Sequence, residues 1–145
     1  MFMEQIDACI YGRKIKRIFD NCLKSIREQY DIRMIDVEIL LYFYENKDKT
    51  ASDLYRELGL NKGQVSTGID RLCKKKMLLE YENSKDRRYL QYEIQPLGLQ
   101  VVVQIIEETK KIYTIITDSI SEEKLQTCYE TSKMICDNID KFYKE

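Results

Sequence analysis

The chain has 145 residues, 43% hydrophobic and 34% charged, with a formal net charge of −1. That length is enough for a core of its own, and the balance is that of an ordinary soluble domain. Histidine is absent and the five cysteines (Cys9, Cys22, Cys73, Cys128, Cys136) show no Cys-x-x-Cys spacing, which argues against histidine metal sites, histidine base catalysis, a disulfide framework and a thiolate zinc site.

Residues 4–30 read as one long helix, with Ile6, Cys9, Ile10, Ile18, Phe19, Cys22, Leu23, Ile26 and Tyr30 near the helical period. A second helix through Val37, Ile39, Leu40, Leu41, Phe43 and Tyr44 is so apolar that it belongs at the centre of the fold; Asp31 or Asp36 caps its start. Asn46-Lys47-Asp48-Lys49 is a polar turn. Thr50 and Asp53 then form a capping box for a helix whose apolar face is Ala51, Leu54 and Leu58, and Gly59 ends it. Asn61 restarts the chain as an N-cap, with Gln64 at the capping-box position, and Val65, Ile69 and Leu72 are the buried face of this next helix.

The opposite face of that helix carries Gly63, Thr67, Asp70 and Lys74, flanked by Gln64, Ser66 and Arg71. Its first half is small and polar, a surface that fits a DNA major groove: Gln64 matches adenine in two-pronged fashion, while Ser66 and Thr67 serve several bases. Lys74, Lys75 and Lys76 suit the negative end of the helix dipole. Met77–Glu82 and Tyr89–Ile94 alternate as two strands around Asn83-Ser84-Lys85, which supplies the turn chemistry. Lys85-Asp86-Arg87-Arg88 forms the basic tip. A short-turn helix pair followed by such a ribbon is a winged helix-turn-helix, and an arginine at the tip suits a narrow minor groove.

After the wing, Pro96 fits the first position of a helix that carries Val101, Val102, Val103, Ile105, Ile106, Ile112, Ile115, Ile116 and Ile120. Leu125, Cys128, Tyr129, Ile135, Ile139, Phe142 and Tyr143 form a last stripe. These stripes exceed what one winged helix covers, so residues 1–30 and 96–145 are expected to form a helical dimerisation region and residues 31–95 the DNA-binding lobe of a single 1–145 chain. Residues 50–95 hold nine Lys/Arg against seven Asp/Glu, a local charge of +2 against −3 for the remainder; affinity for phosphate follows the local patch.

Over Leu54–Leu60, Val65-Ser66, Ile69–Lys75 and Asp86-Arg87-Arg88 the sequence resembles the MarR family of bacterial transcriptional regulators. The family's wing signature, Asp-x-Arg, falls on Asp86 and Arg88. Gly98 matches the glycine that opens the helix after the wing, and Ser121-Glu122-Glu123 the start of the last helix. Three positions depart from the pattern. Lys76 stands where a glycine usually ends the recognition helix, Thr67 replaces a longer polar or basic residue, and Gln95 replaces a threonine before Pro96.

The resemblance implies a mainly α fold with a small β-hairpin wing, flanked by long N- and C-terminal dimerisation helices. It implies a homodimer that represses transcription from a pseudo-palindromic operator on double-stranded DNA, tuned by a small aromatic or phenolic effector. It implies no enzyme activity, no cofactor and no metal. The DNA-facing set is Asn61, Lys62, Gly63, Gln64, Ser66, Thr67, Arg71, Lys74, Arg87 and Arg88, with Asp86 supporting the wing. No apolar run is long enough for a membrane span. Met1–Ile10 carries Glu4 and Asp7 with no small-residue cleavage site, so the expected location is cytoplasmic. Two alternatives stay open: a winged helix that binds protein and no DNA, and a redox-responsive regulator using Cys9. That cysteine aligns with the reactive cysteine of the peroxide-sensing branch, whose tyrosine partners are here Leu23 and Met34.

Overall fold

The computed structural model describes residues 2–144, with side chains described from Ile10 to Lys144. The order is α1 (Phe2–Cys22), α2 (Lys24–Tyr30), α3 (Met34–Glu45), α4 (Ala51–Leu58), α5 (Lys62–Lys74), β1 (Leu78–Glu82), β2 (Leu90–Ile94), α6 (Pro96–Ile116) and α7 (Glu122–Lys144). Two compact units result, Met1–Lys110 and Lys111–Glu145. The expected mainly α fold with one hairpin is present, and no helix of the described residues is long and apolar enough to cross a membrane.

The single helix expected over residues 4–30 is divided at Leu23. Hydrogen bonds still run through the break, from the Leu23 N–H to the Phe19 carbonyl at 3.2 Å and from the Arg27 N–H to the Leu23 carbonyl at 3.0 Å. The division is therefore a local irregularity, with Leu23 and Ile26 both in the core. The start of α3 also differs from expectation, since Arg33 occupies the N-cap position. Asp36 works from the third helical position, its Oδ2 accepting the Arg33 N–H at 2.8 Å. Asp31 instead ends α2 in a left-handed conformation, φ 51°.

Helix α3 is the hub of the first unit: Val37, Ile39 and Leu40 have no exposed surface and Phe43 is 2% exposed. Each such side chain contributes about 1.5–3 kcal/mol by leaving water. The Phe43 ring meets Tyr92 of β2 at 4.7 Å between centroids, so the hairpin packs on the hub through aromatic contact. Leu54, Val65, Leu72, Val101, Val102 and Ile105 close the core. The last position of α4's expected apolar face departs, because Leu58 is 45% exposed; it lines an open groove with Leu41 and Tyr42 of α3.

Local chemistry sets the joints. The Thr50–Asp53 capping box forms, with the Asp53 N–H donating to the Thr50 hydroxyl at 3.1 Å and the Thr50 N–H to Asp53 Oδ2 at 2.9 Å. Gly59 takes φ +64°, so the Leu60 N–H can reach the Tyr55 carbonyl at 2.9 Å and close α4. In the second unit, Tyr129, Met134, Ile135, Ile139, Phe142 and Tyr143 of α7 are all exposed, and α7 has no buried residue.

Candidate nucleic-acid interface

Helix α5 begins on Asn61, whose Oδ1 accepts the Gly63 and Gln64 N–H groups at 2.9 and 3.2 Å. The expected capping-box bond from the Gln64 side chain is not made. Asn61 satisfies both free amides alone, and the Gln64 amide stays on the exposed face. The predicted face division holds: Val65, Ile69 and Leu72 are buried, while Lys62, Gly63, Gln64, Ser66, Thr67, Asp70 and Lys74 are exposed. Thr67 donates its hydroxyl to the Gly63 carbonyl at 2.9 Å, which restrains its rotamer.

Helix α5 sits close on α3 at Gly68, which is buried. A Cβ there would lie 2.6 Å from Ile39 Cδ1 and 3.1 Å from Asp36 Oδ1, so a larger residue would have to push the Ile39 side chain aside. Three residues on, Arg71, expected on the DNA side, is paired with α3. Its Nε and Nη2 donate to the two carboxylate oxygens of Asp36, each at 2.8 Å, with Asp36 fully buried. This fork-to-fork pair holds the Arg71 guanidinium protonated more firmly than usual, chiefly through the Asp36 hydrogen bond. The neighbouring groove, about 530 Å³, is lined by Arg33, Ile35, Asn61, Gly63, Gln64, Thr67 and Arg71. Sequence reading missed Arg33. It is an exposed cation that the fold brings beside the start of α5, and no local pattern announces it.

The end of α5 explains the Lys76 departure. Lys76 takes φ +57°, its N–H reaches the Cys73 carbonyl at 3.0 Å, and the Met77 N–H reaches the Leu72 carbonyl at 3.0 Å. These two bonds are a Schellman closure, normally completed by glycine. Leu72 and Met77, both buried, supply the apolar contact that accompanies it.

The strands pair antiparallel with Leu78 opposite Ile94 and Glu82 opposite Leu90. At the tip, Asn83 Oδ1 accepts the Lys85 and Asp86 N–H groups at 2.8 and 3.2 Å, so the side chain shapes the turn. Asp86 Oδ1 then accepts the Arg88 N–H at 3.1 Å and Nε at 3.0 Å, and Oδ2 accepts Nη2 at 2.8 Å. Arg88 holds the Asp86 carboxyl below its ordinary range. The Arg88 side chain is nonetheless 84% exposed. Arg87 is equally open, with only a 3.9 Å approach to Glu82. The exposed polar face of α5 and the wing cations thus occur in one compact unit.

Of the cysteines, Cys22 and Cys73 have thiols pushed up first by burial, which opposes thiolate formation. Cys128 and Cys136 are exposed. The Cys9 side chain lies outside the described residues.

Comparison with known proteins gives a consistent family. Residues 30–88 match the model of the MarR family. No curated protein matches the chain significantly. Among solved structures, the MarR protein of Peptoclostridium difficile is similar with a TM-score of 0.81 at 17% identity, covering 94% of this chain and 90% of that one. CouR of Rhodococcus jostii, solved with p-coumaroyl-CoA, gives 0.77 at 12% identity, covering 90% and 92%. The S. aureus MepR–DNA complex gives 0.62 at 19% identity, covering 88% and 96%. Residues 30–88 thus match the MarR family model, and the chain carries the winged-helix fold of the solved structures it resembles.

Proposed function

We propose that this protein is a cytoplasmic, sequence-specific double-stranded DNA-binding regulator that acts as a homodimer, in the manner of a repressor. The observation that carries this reading is the exposed polar face of α5 in one compact unit with the cation-bearing wing. Asn61, Lys62, Gly63, Gln64, Ser66, Thr67 and Lys74 would face the major groove, and Arg87 and Arg88 the flanking minor groove. Asp86 would hold Arg88 in its loop. Arg33 joins the set as a phosphate contact. Arg71 moves to a role inside the lobe, because its guanidinium is engaged by a buried carboxylate.

Dimerisation is supported by the exposed apolar side chains of α7, an apolar surface of a kind that marks an association site. A small aromatic or phenolic effector completes the reading, with support from the ligand-bound relative CouR. Such a ligand acts only by binding one lobe spacing better than another. No catalytic step is assigned to the protein.

The test compares Gln64→Ala and Arg88→Ala across a salt series on duplexes selected from a random-sequence pool. Gln64→Ala should weaken the preferred site by about 1–3 kcal/mol and a site altered at the contacted base pair by less. Arg88→Ala should weaken all sites together and flatten the salt dependence. Full affinity with an unchanged slope in Arg88→Ala would remove the wing from the DNA surface and favour a protein-binding winged helix.

A further inference from the structure

Resting on the DNA-binding reading above, we propose that Asp36 and Arg71 are positioning residues. Their bond sets the rotation of α5 about its own axis, and through it the placement of Gln64, without either residue touching DNA. The helical period links the two ends of this argument. Arg71 lies seven residues after Gln64, so the two sit within about 20° of each other around the helix. Arg71 is therefore on the very stripe that carries the base-reading amide.

The anchor at the other end is rigid. Asp36 has no exposed surface, its backbone is in the first turn of α3, and its Oδ2 also accepts the Arg33 N–H at 2.8 Å. Gly68 brings α5 to within contact of the same carboxylate, 3.1 Å from where a Cβ would stand. The Ile39 side chain seats against Gly68, an apolar contact that has no direction of its own. The two-pronged bond, planar and directional, supplies the resistance to rotation. Releasing it and letting α5 turn by about 20° would displace a side-chain tip by about 2 Å at the outer radius of a helix. That exceeds the tolerance of a hydrogen bond to a base edge.

The two ways of reading Arg71 predict opposite signs. As a direct phosphate contact restrained by Asp36, Arg71 would be freed by Asp36→Asn, so affinity for every duplex would rise and the salt slope would steepen. As a positioning residue it would lose its anchor. Discrimination between a selected duplex and an unselected one of equal length should then fall about tenfold, the loss of one two-pronged base contact, with the salt slope unchanged. Arg71→Lys, which keeps the charge and loses the fork, should behave like Asp36→Asn. Both variants are compared with the native protein where circular dichroism shows all three fully folded, so a role confined to stability would leave discrimination intact.

The unmodified protein gives an independent reading that needs no variant. The Arg71 Nε–H resonance should keep its shift and slow exchange when the selected duplex is added. Tighter binding by Asp36→Asn, unchanged discrimination in both variants, or a DNA-induced shift of that resonance overturns the proposal. If the native protein shows no preference for any duplex, the DNA-binding reading itself fails, and that result is distinct from the others.

Discussion

Lys76 is a residue with a Cβ in a conformation that glycine holds without strain. With φ at +57° it carries the left-handed penalty of about 1–2 kcal/mol. Replacement by glycine removes that penalty but adds about 0.5–1 kcal/mol of chain freedom to the unfolded state. The net expectation for Lys76→Gly is about 0.5–1 kcal/mol of stabilisation, or about 1–4 °C in melting temperature for a chain of this size. Lys76→Ala serves as the control, since it removes the same cation from the C-terminus of α5 and keeps the Cβ; the alanine–glycine difference then isolates the backbone. Urea unfolding at one fixed protein concentration is the assay, because association is linked to stability, and the slope should not change. A midpoint for Lys76→Gly equal to or below that of Lys76→Ala would show that position 76 carries no backbone strain, and the account of the Schellman closure would fall with it.

Removal of the Thr50 hydroxyl in Thr50→Ala should destabilise the protein by about 1 kcal/mol through loss of its side of the capping box, read as a lower urea midpoint. Acid should act on the same joint. Asp53 is lowered first by the Thr50 N–H and Glu57 first by the Lys49 hydrogen bond. Both folded values lie below the ordinary carboxylate ones, so their stabilisation is complete above about pH 5 and is lost as pH falls through the folded values. A urea midpoint that stayed level on acidification below pH 4 would contradict this. Deletion of residues 122–145 should yield monomer or aggregate and abolish operator binding; a truncated protein that sediments as a stable dimer would refute the assignment of α7 to dimerisation.

What could be read from the sequence was what neighbouring residues decide. The Thr50–Asp53 box, the Gly59 stop and the Asn61 cap each involve partners within a few positions, and all three are present. The unbroken apolar run of α3 identified the hub because nothing else could enclose it. The Asp36–Arg71 pair was out of reach, since its partners are 35 residues apart and each carries a plausible local role, one as a cap and one as a DNA contact. Arg33 escaped for the same reason: the groove beside it exists only after α3 and α5 cross. Gln64 shows the limit of motif reading. Its position fits a capping box, yet Asn61 alone holds both amides, and the side chain is left to solvent. Leu58 kept the right period but falls on the last turn of α4, at the rim of an open groove against α3.

Met77 is where three parts of the lobe are fastened together. Its N–H closes α5, its carbonyl accepts the Gln95 N–H at 2.9 Å, and a side chain at Gly98 would collide with that same carbonyl oxygen. The end of the recognition helix, the root of the hairpin and the first turn of α6 thus share one backbone residue and have almost no slack between them. Movement of the first turn of α6 is therefore passed to the root of the hairpin and to the end of α5 together.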